Sequence, residues 1–361
     1  MELSGSSTAV LHEIPIPAFI VREGIVTDAN TAAQQQGVRI DQPIQKLLAT
    51  GAEEYGTFSS GRLYLNLTLA GASCGASVTK GQDYDLFLLE QEDDISELQA
   101  MALAAQALRS PLSNVMTVAD RLFPLTESDG SSEAREQAAR INKGLYQMLR
   151  IVSNMSDAYR YSQDSAPRLE IRDIRAIMEE LFRQHIPLIQ HTGIRLQFEN
   201  LPASIFCLVD AEKLERAVGN ILSNALKFTP RGGTIDAKLI RTGKMLQLTV
   251  QDSGTGIPET VRGNVYNHFQ RHPGIEDGRF GIGLGIVLIR SAATAHGGTV
   301  LIDQPEGAGT RITMTLAIRQ DTDALVRSSI ISVDYAGGRD HRLLELADSL
   351  PAQLYATEDV N

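Results

Sequence analysis

Short apolar runs that alternate with polar residues fill the first part of the chain, residues 1–92. Gly and Asn separate these runs, a pattern typical of strands joined by tight turns. The runs that we predict to be strands are 18–21, 25–26, 63–67 and 86–89. The pattern therefore predicts a small α/β domain in this part of the chain.

A seven-residue repeat of apolar positions replaces this alternation from Ile95 onward. Its two rows before residue 123 are Leu98, Ala105, Leu112 and Ala119, and Met101, Leu108, Val115 and Leu122. Its two rows after residue 132 are Ala138, Leu145, Val152 and Tyr159, and Ile141, Met148 and Met155. Such repeats are typical of helices that pack along a seam, and the Pro-, Gly- and Ser-containing stretch 123–132 predicts a loop. We therefore expect residues 93–165 to form a helical hairpin.

One such hairpin leaves both of its apolar seams exposed to water. Pairing with a second copy of the chain buries the seams in a four-helix bundle, which is the least costly way to remove them from water. The pattern therefore predicts a dimer.

Strands and helices are mixed from residue 166 to residue 319. The predicted strands are 169–171, 194–198, 205–209, 234–240 and 245–251, with two more before residue 318. Helices are expected from about Asp173, after Asp210 as N-cap, and up to His296. This arrangement predicts an α/β sandwich. Residues 320–361 form a tail with one short amphipathic segment, 343–350, and we expect the rest of the tail to be loosely ordered.

Composition and charge exclude several classes of protein. Hydrophobic residues make up 43% and charged residues 21% of the 361 residues, as in chains that fold into about two to three domains. The 33 Lys and Arg against 44 Asp and Glu give a net charge of −11, the wrong sign for a protein that holds nucleic acid. Apolar stretches fall far short of the roughly 18 residues of a membrane span, and no basic residue precedes Arg22. We expect a cytoplasmic protein without membrane insertion.

Three polar side chains share one face of a predicted helix. Asn224 follows Asn220 by four residues and Lys227 follows by three more, so all three project from the same side. Carboxamide oxygens suit Mg²⁺ beside phosphates, and an ammonium group can approach phosphate oxygens. Taken alone, such a face is also typical of a polar stripe on the protein surface.

Two glycine-containing motifs follow this helix. The motif D-S-G-T-G at 252–256 ends a predicted strand, where Asp252 can accept a hydrogen bond from an adenine amino group and the glycines let the backbone approach the base. The motif G-I-G-L-G at 281–285 opens a helix, where backbone N–H groups and the helix dipole favour a triphosphate. Taken alone, the first motif is more typical of a turn, and a lone glycine triplet such as the second is weak evidence for a phosphate site.

The order of these motifs resembles the ATP-binding domain of sensor histidine kinases. The resemblance runs from about residue 169 to 316 and includes an aromatic segment at 265–271, H-G-G at 296–298 and G-A-G-T at 307–310. It implies a Bergerat-type (gyrase, heat-shock chaperone and histidine kinase) α/β sandwich that binds ATP with Mg²⁺. The implied residues are Asn224 as Mg²⁺ ligand, Asn220 and Lys227 at the phosphates, Asp252 at adenine, Gly254 and Gly256 in the turn beside it, Phe269 and Arg271 in a lid segment, Gly281, Gly283 and Gly285 as lid hinges, and Thr310.

A second resemblance concerns the N-terminal part of the chain. Residues 16–37, with G-I-V-T-D-A-N at 24–30, resemble the start of a PAS sensor domain. Together the two resemblances imply a PAS-like sensor domain at 1–92, a dimerisation hairpin at 93–165, a histidine-kinase-type ATPase domain at 166–319 and a tail at 320–361.

The chain differs from the family at the residue that accepts phosphate. The family carries His followed by Glu, Leu, Arg, Thr and Pro on the first hairpin helix, whereas this chain has Gln106-Ala107-Leu-Arg-Ser-Pro. With Leu98 as heptad position a, Gln106 falls at position b, which faces solvent. A glutamine amide is not a usable nucleophile, and Ala107 removes the neighbouring acid. Self-phosphorylation at this position is therefore not expected.

Asn220 also separates this chain from the related ATPases. DNA gyrase and the heat-shock chaperones carry a Glu base at that position, and an amide cannot take a proton from water. Hydrolysis of bound ATP should therefore be slow. Among the histidines, His296 is expected to be structural, His185 and His191 to cap a helix end at the surface, and His341 to be the one alternative phosphoacceptor, since it follows Asp340.

Two classes of function follow from these features. In the first, a sensor-kinase-type protein binds ATP with Mg²⁺. It then either phosphorylates a His on a partner kinase in a heterodimer, or acts as a pseudokinase whose conformation depends on nucleotide. In the second, a structural or regulatory dimer docks response regulators or a partner kinase without phosphotransfer, and the retained Arg109, Ser110 and Pro111 on the docking helix favour this interpretation.

Overall fold

The structure of the chain is a computed structural model. It describes residues 11–12, 14–90, 92–129, 132–162, 167–256, 284–305, 309–319 and 338–356.

The N-terminal part forms a five-stranded antiparallel sheet with short helices. Its elements are β1 (Ala18–Arg22), β2 (Ile25–Ala29), α1 (Thr31–Gln35), a 3₁₀ turn (Ile44–Lys46), α2 (Ala52–Thr57), β3 (Arg62–Leu69), β4 (Ala72–Lys80) and β5 (Asp85–Leu89). The strand order is β2-β1-β5-β4-β3. The four predicted strands are confirmed, and β4 is additional. Small and polar residues dominate β4, so its sequence shows none of the large apolar alternation that predicts a strand.

Two long helices follow, α3 (Glu92–Asp129) and α4 (Ser132–Ser162), and pack against each other as the predicted hairpin. The expectation of a loop at 123–132 is wrong for its first part, because α3 continues through Pro124 to Asp129. Leu125 and Glu127, which follow the proline, are good helix formers, and the proline removes only one backbone hydrogen bond from a long helix.

The apolar rows of the hairpin differ in exposure. One row on each helix is buried within the chain: Leu98, Ala105, Leu112 and Ala119 on α3, and Ala138, Leu145 and Val152 on α4. The other rows expose 48–56% of their surface at Leu108, Val115, Leu122, Ile141 and Met148. The expectation that one hairpin leaves both seams exposed is therefore wrong, because the chain buries one seam itself.

The C-terminal part is an α/β sandwich, as the sequence predicts. Its elements are β6 (Glu170–Asp173), α5 (Ile174–Gln190), β7 (Arg195–Glu199), β8 (Phe206–Val209), α6 (Ala211–Phe228), β9 (Thr234–Thr242), β10 (Met245–Asp252), α7 (Leu284–Ala295), β11 (Val300–Asp303) and β12 (Arg311–Ala317). The sheet order is β11-β12-β10-β9-β7, with β7 parallel to β9. Alternate residues of β9 and β10 are buried in a core shared with α5, α6 and α7.

The helix starts of this sandwich follow the sequence signals. Asp173 and Asp210 each accept a hydrogen bond from a backbone N–H in the first turn of α5 and α6. His185 is 2% exposed and its Nδ1 lies 2.7 Å from the Leu181 carbonyl oxygen. The expectation of a surface cap is therefore wrong for His185, because α5 continues past it to Gln190 and turns that side chain into the core.

The two sheets join into a single sheet of ten strands. β3 of the N-terminal part pairs antiparallel with β11 of the sandwich, with Tyr64 opposite Val300 and Arg62 opposite Ile302. The Arg290 guanidinium lies 4.6 Å from the centre of the Tyr64 ring and also pairs with Glu90. The hairpin therefore lies between two parts of the chain that are also linked directly through their backbones.

Residues 338–356, here called the C-terminal segment, are ordered and buried. They form α8 (His341–Glu345) and a 3₁₀ turn (Ala352–Tyr355) that pack against α4 and α6. The expectation of a loosely ordered tail is wrong for this segment, because six of its apolar side chains join the main core. They are Leu343, Leu344, Leu346, Ala347, Leu350 and Tyr355.

In the part of the chain that the structure describes, no helix combines the length and apolar character needed to cross a bilayer.

Candidate functional site

Helix α6 carries the polar face predicted from the sequence. Asn220 is fully buried on this helix, and its Nδ2 donates to the Arg216 carbonyl oxygen at 2.8 Å. Its Oδ1 faces the hairpin, where it accepts a hydrogen bond from Nη2 of Arg150 on α4 at 3.3 Å. The carboxamide is therefore held in one orientation between the sandwich and the hairpin.

The other two residues of this face differ in how they are engaged. Asn224, one turn further along α6, is half-buried, and no hydrogen bond joins its carboxamide to another residue that the structure describes. The Lys227 side chain is only 12% exposed, and its Nζ lies 2.7 Å from Oδ2 of Asp348 in the C-terminal segment. Asn224 is therefore open to a ligand, whereas Asn220 and Lys227 already have partners.

Asp252 lies at the end of β10, where the sequence predicts the adenine contact. Its Oδ1 accepts hydrogen bonds from the backbone N–H groups of Gly254 at 2.8 Å and Thr310 at 3.2 Å. Among the described residues, none donates a hydrogen bond to its Oδ2. Burial raises the pKa of this carboxyl above its ordinary value, and the backbone donors oppose that shift. One carboxylate oxygen is therefore fixed by the backbone, and the other can accept a hydrogen bond from a ligand's amino group.

Close backbone packing explains the glycines around Asp252. A Cβ on Gly254 would overlap the carbonyl oxygen of Phe228, and one on Gly309 would overlap that of Asp252. Gly256 has a φ of +73°, and a Cβ there would lie 2.5 Å from Nε2 of Gln304. The glycines thus allow the turn and the strand end to approach each other, which positions the carboxylate.

Gly285 is the described member of the second glycine motif. It lies in the first turn of α7, and a Cβ on it would lie 3.0 Å from Oδ1 of Asn220. The start of α7 therefore packs directly on the polar face of α6. The remaining predicted positions, Phe269, Arg271, Gly281 and Gly283, lie outside the described residues.

Four charged residues complete the site and were not predicted. Arg216 on α6 is fully buried and pairs with Asp157 on α4 at 2.6 Å and with Glu345 of the C-terminal segment. Arg150 pairs with Asp348. The one available signal was the spacing of Arg216, four residues before Asn220 on the same helix face. Nothing local distinguishes Arg150, Glu345 or Asp348 from surface charges.

Opposing electrostatic effects act on the pair that joins α6 to the C-terminal segment. Burial raises the pKa of the Asp348 carboxyl, but the positive charges of Arg150 and Lys227 outweigh it and hold this pKa below its ordinary value. Burial lowers the pKa of the Lys227 ammonium, and the charge of Asp348 compensates only part of that effect. Asp348 is therefore ionised at neutral pH.

The hairpin carries the position that the sequence predicts to correspond to a phosphoacceptor. Gln106 and Ala107 are both exposed on α3, as the heptad register predicts. The other candidate acceptor, His341, has its Nδ1 2.9 Å from Oε1 of Glu215, and its side chain is 11% exposed. His296 is buried, with its Nε2 accepting the Asp210 backbone N–H at 2.9 Å. Both histidines are thus engaged in contacts within the fold.

The side chains that could hold Mg²⁺ at this site supply few oxygen ligands. No group of three or more His, Cys, Asp or Glu within the described ranges is arranged to hold a metal ion. The open carboxamide of Asn224 is one hard oxygen donor, which suits a Mg²⁺ ion whose other ligands are phosphates and water. The described residues therefore fit a metal that arrives with a nucleotide.

Comparison with known proteins gives a family match for this part of the chain. Residues 209–320, from the end of β8 to just beyond β12, match the family described as histidine kinase-, DNA gyrase B-, and HSP90-like ATPase. Curated relatives include the adaptive-response sensory kinase SasA of Synechococcus sp. (strain JA-2-3B'a(2-13)), 29% identical over 252 residues. The sensor histidine kinase WalK of Bacillus subtilis (strain 168) is 27% identical over 250 residues.

These matches cover part of each protein. They span 65% of this chain and 64% of SasA, and 66% of this chain and 39% of WalK. The chain thus matches less than two thirds of the length of these relatives. Among solved structures, full-length ShkA in complex with AMPPNP aligns at 20% identity and a TM-score of 0.48, covering 62% of this chain and 46% of that one.

The matched residues contain α6, the Asp252 turn and α7, which are the elements that form the site described above. The relatives are named as sensor and sensory kinases. Residues 209–320 are therefore a domain of the histidine kinase-, DNA gyrase B-, and HSP90-like ATPase family, and the chain as a whole is similar to sensor histidine kinases.

Proposed function

We propose that this chain is a signalling protein of the sensor histidine kinase type that binds ATP with Mg²⁺ but does not phosphorylate itself at residue 106. The observation that carries the proposal is the Asp252 carboxylate. Two backbone N–H groups donate to its Oδ1, and its Oδ2, to which no described residue donates, can accept a hydrogen bond from the adenine amino group. A single carboxylate held this way discriminates adenine, which carries an amino donor, from guanine, which presents a carbonyl oxygen at the corresponding position.

The polar face of α6 serves the phosphates. Asn224 would hold Mg²⁺, and Lys227 would contact phosphate oxygens. When bound, Mg²⁺ neutralises charge that develops on the phosphates during transfer. Asn220 is an amide and cannot take a proton from water, so this position does not supply the base that ATP hydrolysis needs. The bound γ-phosphate is therefore preserved for transfer or for signalling through conformation.

On the hairpin, Gln106 stands in place of the His that usually accepts this phosphate. Gln106 is exposed, but its amide nitrogen is conjugated with the carbonyl and does not attack phosphorus. Transfer to a His on a partner kinase and a purely conformational role for the nucleotide are both compatible with this geometry. A labelled-phosphate assay with such a partner distinguishes them.

Dimerisation follows from the exposed seam of the hairpin. An apolar face of the hairpin is exposed to water, and a second copy can cover it to form a four-helix bundle. This face consists of Leu108, Val115 and Leu122 on α3 and Ile141 and Met148 on α4.

The PAS-like role of residues 1–92 is supported by their five-stranded antiparallel sheet. The cytoplasmic location expected from the sequence stays a prediction.

A regulatory dimer without phosphotransfer is the second candidate. The specific observation in its favour is that Arg109 and Ser110 are exposed on α3 beside Gln106, where a response regulator could dock. This candidate predicts the same dimer but no phosphate on any partner.

Calorimetric titration of the purified chain with Mg²⁺ and ATP tests the proposal. Asp252→Ala should weaken binding by roughly 10- to 100-fold, because a hydrogen bond to a charged group contributes about 1.5–3 kcal/mol. Asn224→Asp should also weaken it, since a carboxylate repels phosphate oxygens more than an amide does. Asp236→Ala, an exposed acid on β9, is the matched control and should leave the affinity unchanged.

Radiolabelled ATP tests the second half of the proposal. No acid-labile phosphate should form on the purified chain. Affinity that neither Asp252→Ala nor Asn224→Asp alters would contradict the nucleotide site, and an acid-labile phosphate on the hairpin would contradict the loss of the acceptor.

A further inference from the structure

The C-terminal segment, residues 338–356, is seated in a groove between α4 and α6. Six of its apolar side chains, those that join the main core, are at most 2% exposed. The Tyr355 hydroxyl donates to the Leu343 carbonyl oxygen at 2.7 Å, and Nδ2 of Asn142 on α4 donates to the Tyr355 carbonyl oxygen at 2.8 Å. These contacts give the segment one defined position on the hairpin and the sandwich.

In that position the segment directs two carboxylates at the polar face of α6. Glu345 is 1% exposed, pairs with Arg216, and has its Oε2 3.4 Å from Nδ2 of Asn220. Asp348 pairs with Lys227 and with Arg150. The two residues proposed to contact phosphates, Asn220 and Lys227, are therefore the two that the segment engages.

Gly219 is a second, independent feature of this contact. It lies in the interior of α6, where a glycine costs about 1 kcal/mol relative to alanine. A Cβ at this position would lie 2.7 Å from Cγ and 2.9 Å from Cβ of Glu345. The missing side chain thus gives Glu345 room to approach the helix immediately beside Asn220.

The charges at the contact match those of a bound polyphosphate. Carboxylate and phosphate oxygens are both anionic acceptors, and the donors on Arg150, Asn220 and Lys227 cannot serve both at once. When Asp348 leaves, Arg150 and Lys227 lose a shared anion, which makes this end of the site more positive and more attractive to a triphosphate. Asp252 and Asn224 make no such contact with the segment.

We infer that the C-terminal segment is an intramolecular competitor of nucleotide, with Glu345 and Asp348 occupying the phosphate end of the site. The inference rests on the proposed function, since it assigns to the same site a state in which its own chain takes the place of the phosphates. Binding of nucleotide phosphates then requires the segment to leave the face of α6. In the seated state the segment also holds α4 and α6 together, so its release frees the sandwich to move relative to the hairpin.

Two probes that differ only in their phosphates test this competition in the full-length chain. AMPPNP with Mg²⁺ carries the triphosphate, and adenosine carries the base and sugar alone. Asp348→Asn keeps the shape of the side chain and removes its charge. It should raise the affinity for AMPPNP by at least roughly tenfold, and leave the affinity for adenosine unchanged. Glu199→Gln, on an exposed acid paired with Lys238, is the matched control and should change neither affinity.

Hydrogen exchange of the segment's backbone amides gives a readout that does not depend on the variant. Saturating AMPPNP with Mg²⁺ should remove the protection of residues 341–350, and adenosine should not. Unchanged protection together with equal AMPPNP affinities of wild type and Asp348→Asn would overturn the inference and leave the proposed function standing. Failure of every variant to bind either probe would overturn the proposed function, and the inference with it.

Discussion

Arg216 is a buried charge that contacts residues from several parts of the chain. Its guanidinium is fully buried and reaches Asp157 and Asn154 on α4 and Glu345 on the C-terminal segment. Three separate parts of the chain therefore meet at one side chain. A buried ion network of this kind contributes little net stability compared with an apolar core, but the loss of one partner leaves the others buried without compensation.

Arg216→Met is expected to destabilise the chain by about 3–5 kcal/mol, because it leaves the carboxylates of Asp157 and Glu345 without their central cation. Chemical denaturation measures the loss. Arg183→Met on α5 makes the same chemical change at an exposed ion pair with Glu180 and should leave the denaturation midpoint unchanged. Equal shifts for the two variants would show that the Arg216 network has no special role.

The roles of site residues were predictable from the sequence where they depend only on neighbouring positions in the chain. The spacing of Asn220, Asn224 and Lys227 is enough to place them on one helix face, and Asp252 follows from its position between a strand and a glycine turn. Arg150 and Asp348 were not predictable, because each acquires its role from a partner that tertiary packing brings from a distant part of the chain. A charge among leucines gives no local sign that it points inward.

At the scale of elements, the hairpin helices carry two kinds of apolar row. The row through Ala105 and Leu145 packs inside the chain, and the row through Val115 and Met148 faces water. The heptad pattern predicted both rows correctly but gave no indication of which is covered within the chain, since both satisfy the same spacing. The same limit applies to β4, whose small residues become a strand only because β3 and β5 flank it.

Val115→Glu should convert the proposed dimer into monomers. Val115 is 54% exposed in the single chain, and burial of a valine contributes about 1.5–3 kcal/mol per copy. Because the substitution removes this contribution from both copies, the dissociation constant of the dimer should rise by at least roughly a hundredfold. Sedimentation equilibrium measures the association. As a control, Ile40→Glu introduces the same charge at an exposed apolar residue of the N-terminal part and should leave the dimer intact. If the Val115→Glu variant stayed dimeric, the dimer interface would lie elsewhere.

At the scale of the whole molecule, the joined sheet couples the two ends of the chain. Tyr64 lies on β3 of the N-terminal part but belongs to the core of the sandwich, and its ring also packs under Arg290. No local pattern indicates this junction, because strand pairing depends on which sheet edges the tertiary fold brings together. The parts are therefore not independent units joined by a helix alone.

Tyr64→Ala should separate the unfolding of the N-terminal part from that of the sandwich. Loss of a large buried aromatic side chain lowers the free energy of unfolding by about 3–5 kcal/mol. Tyr64 lies where β3 pairs with β11, so the loss weakens the contact between the N-terminal part and the sandwich. Calorimetry should show one transition for the wild-type chain and two for the variant. Tyr84→Ala removes an aromatic ring that packs against Arg22 away from the junction and should retain one transition. Two transitions in the wild-type chain would contradict the coupling.

The pairing of β3 with β11 also affects how the chain is made. Val300 follows its partner Tyr64 by 236 residues, and a ribosome that adds about 5–20 residues each second needs roughly 10 to 50 s to synthesise that stretch. During this interval the outer side of β3 has no partner, and an open strand edge is a template for joining with other chains. The newborn protein therefore passes through a period of aggregation risk that ends only when its last strands emerge.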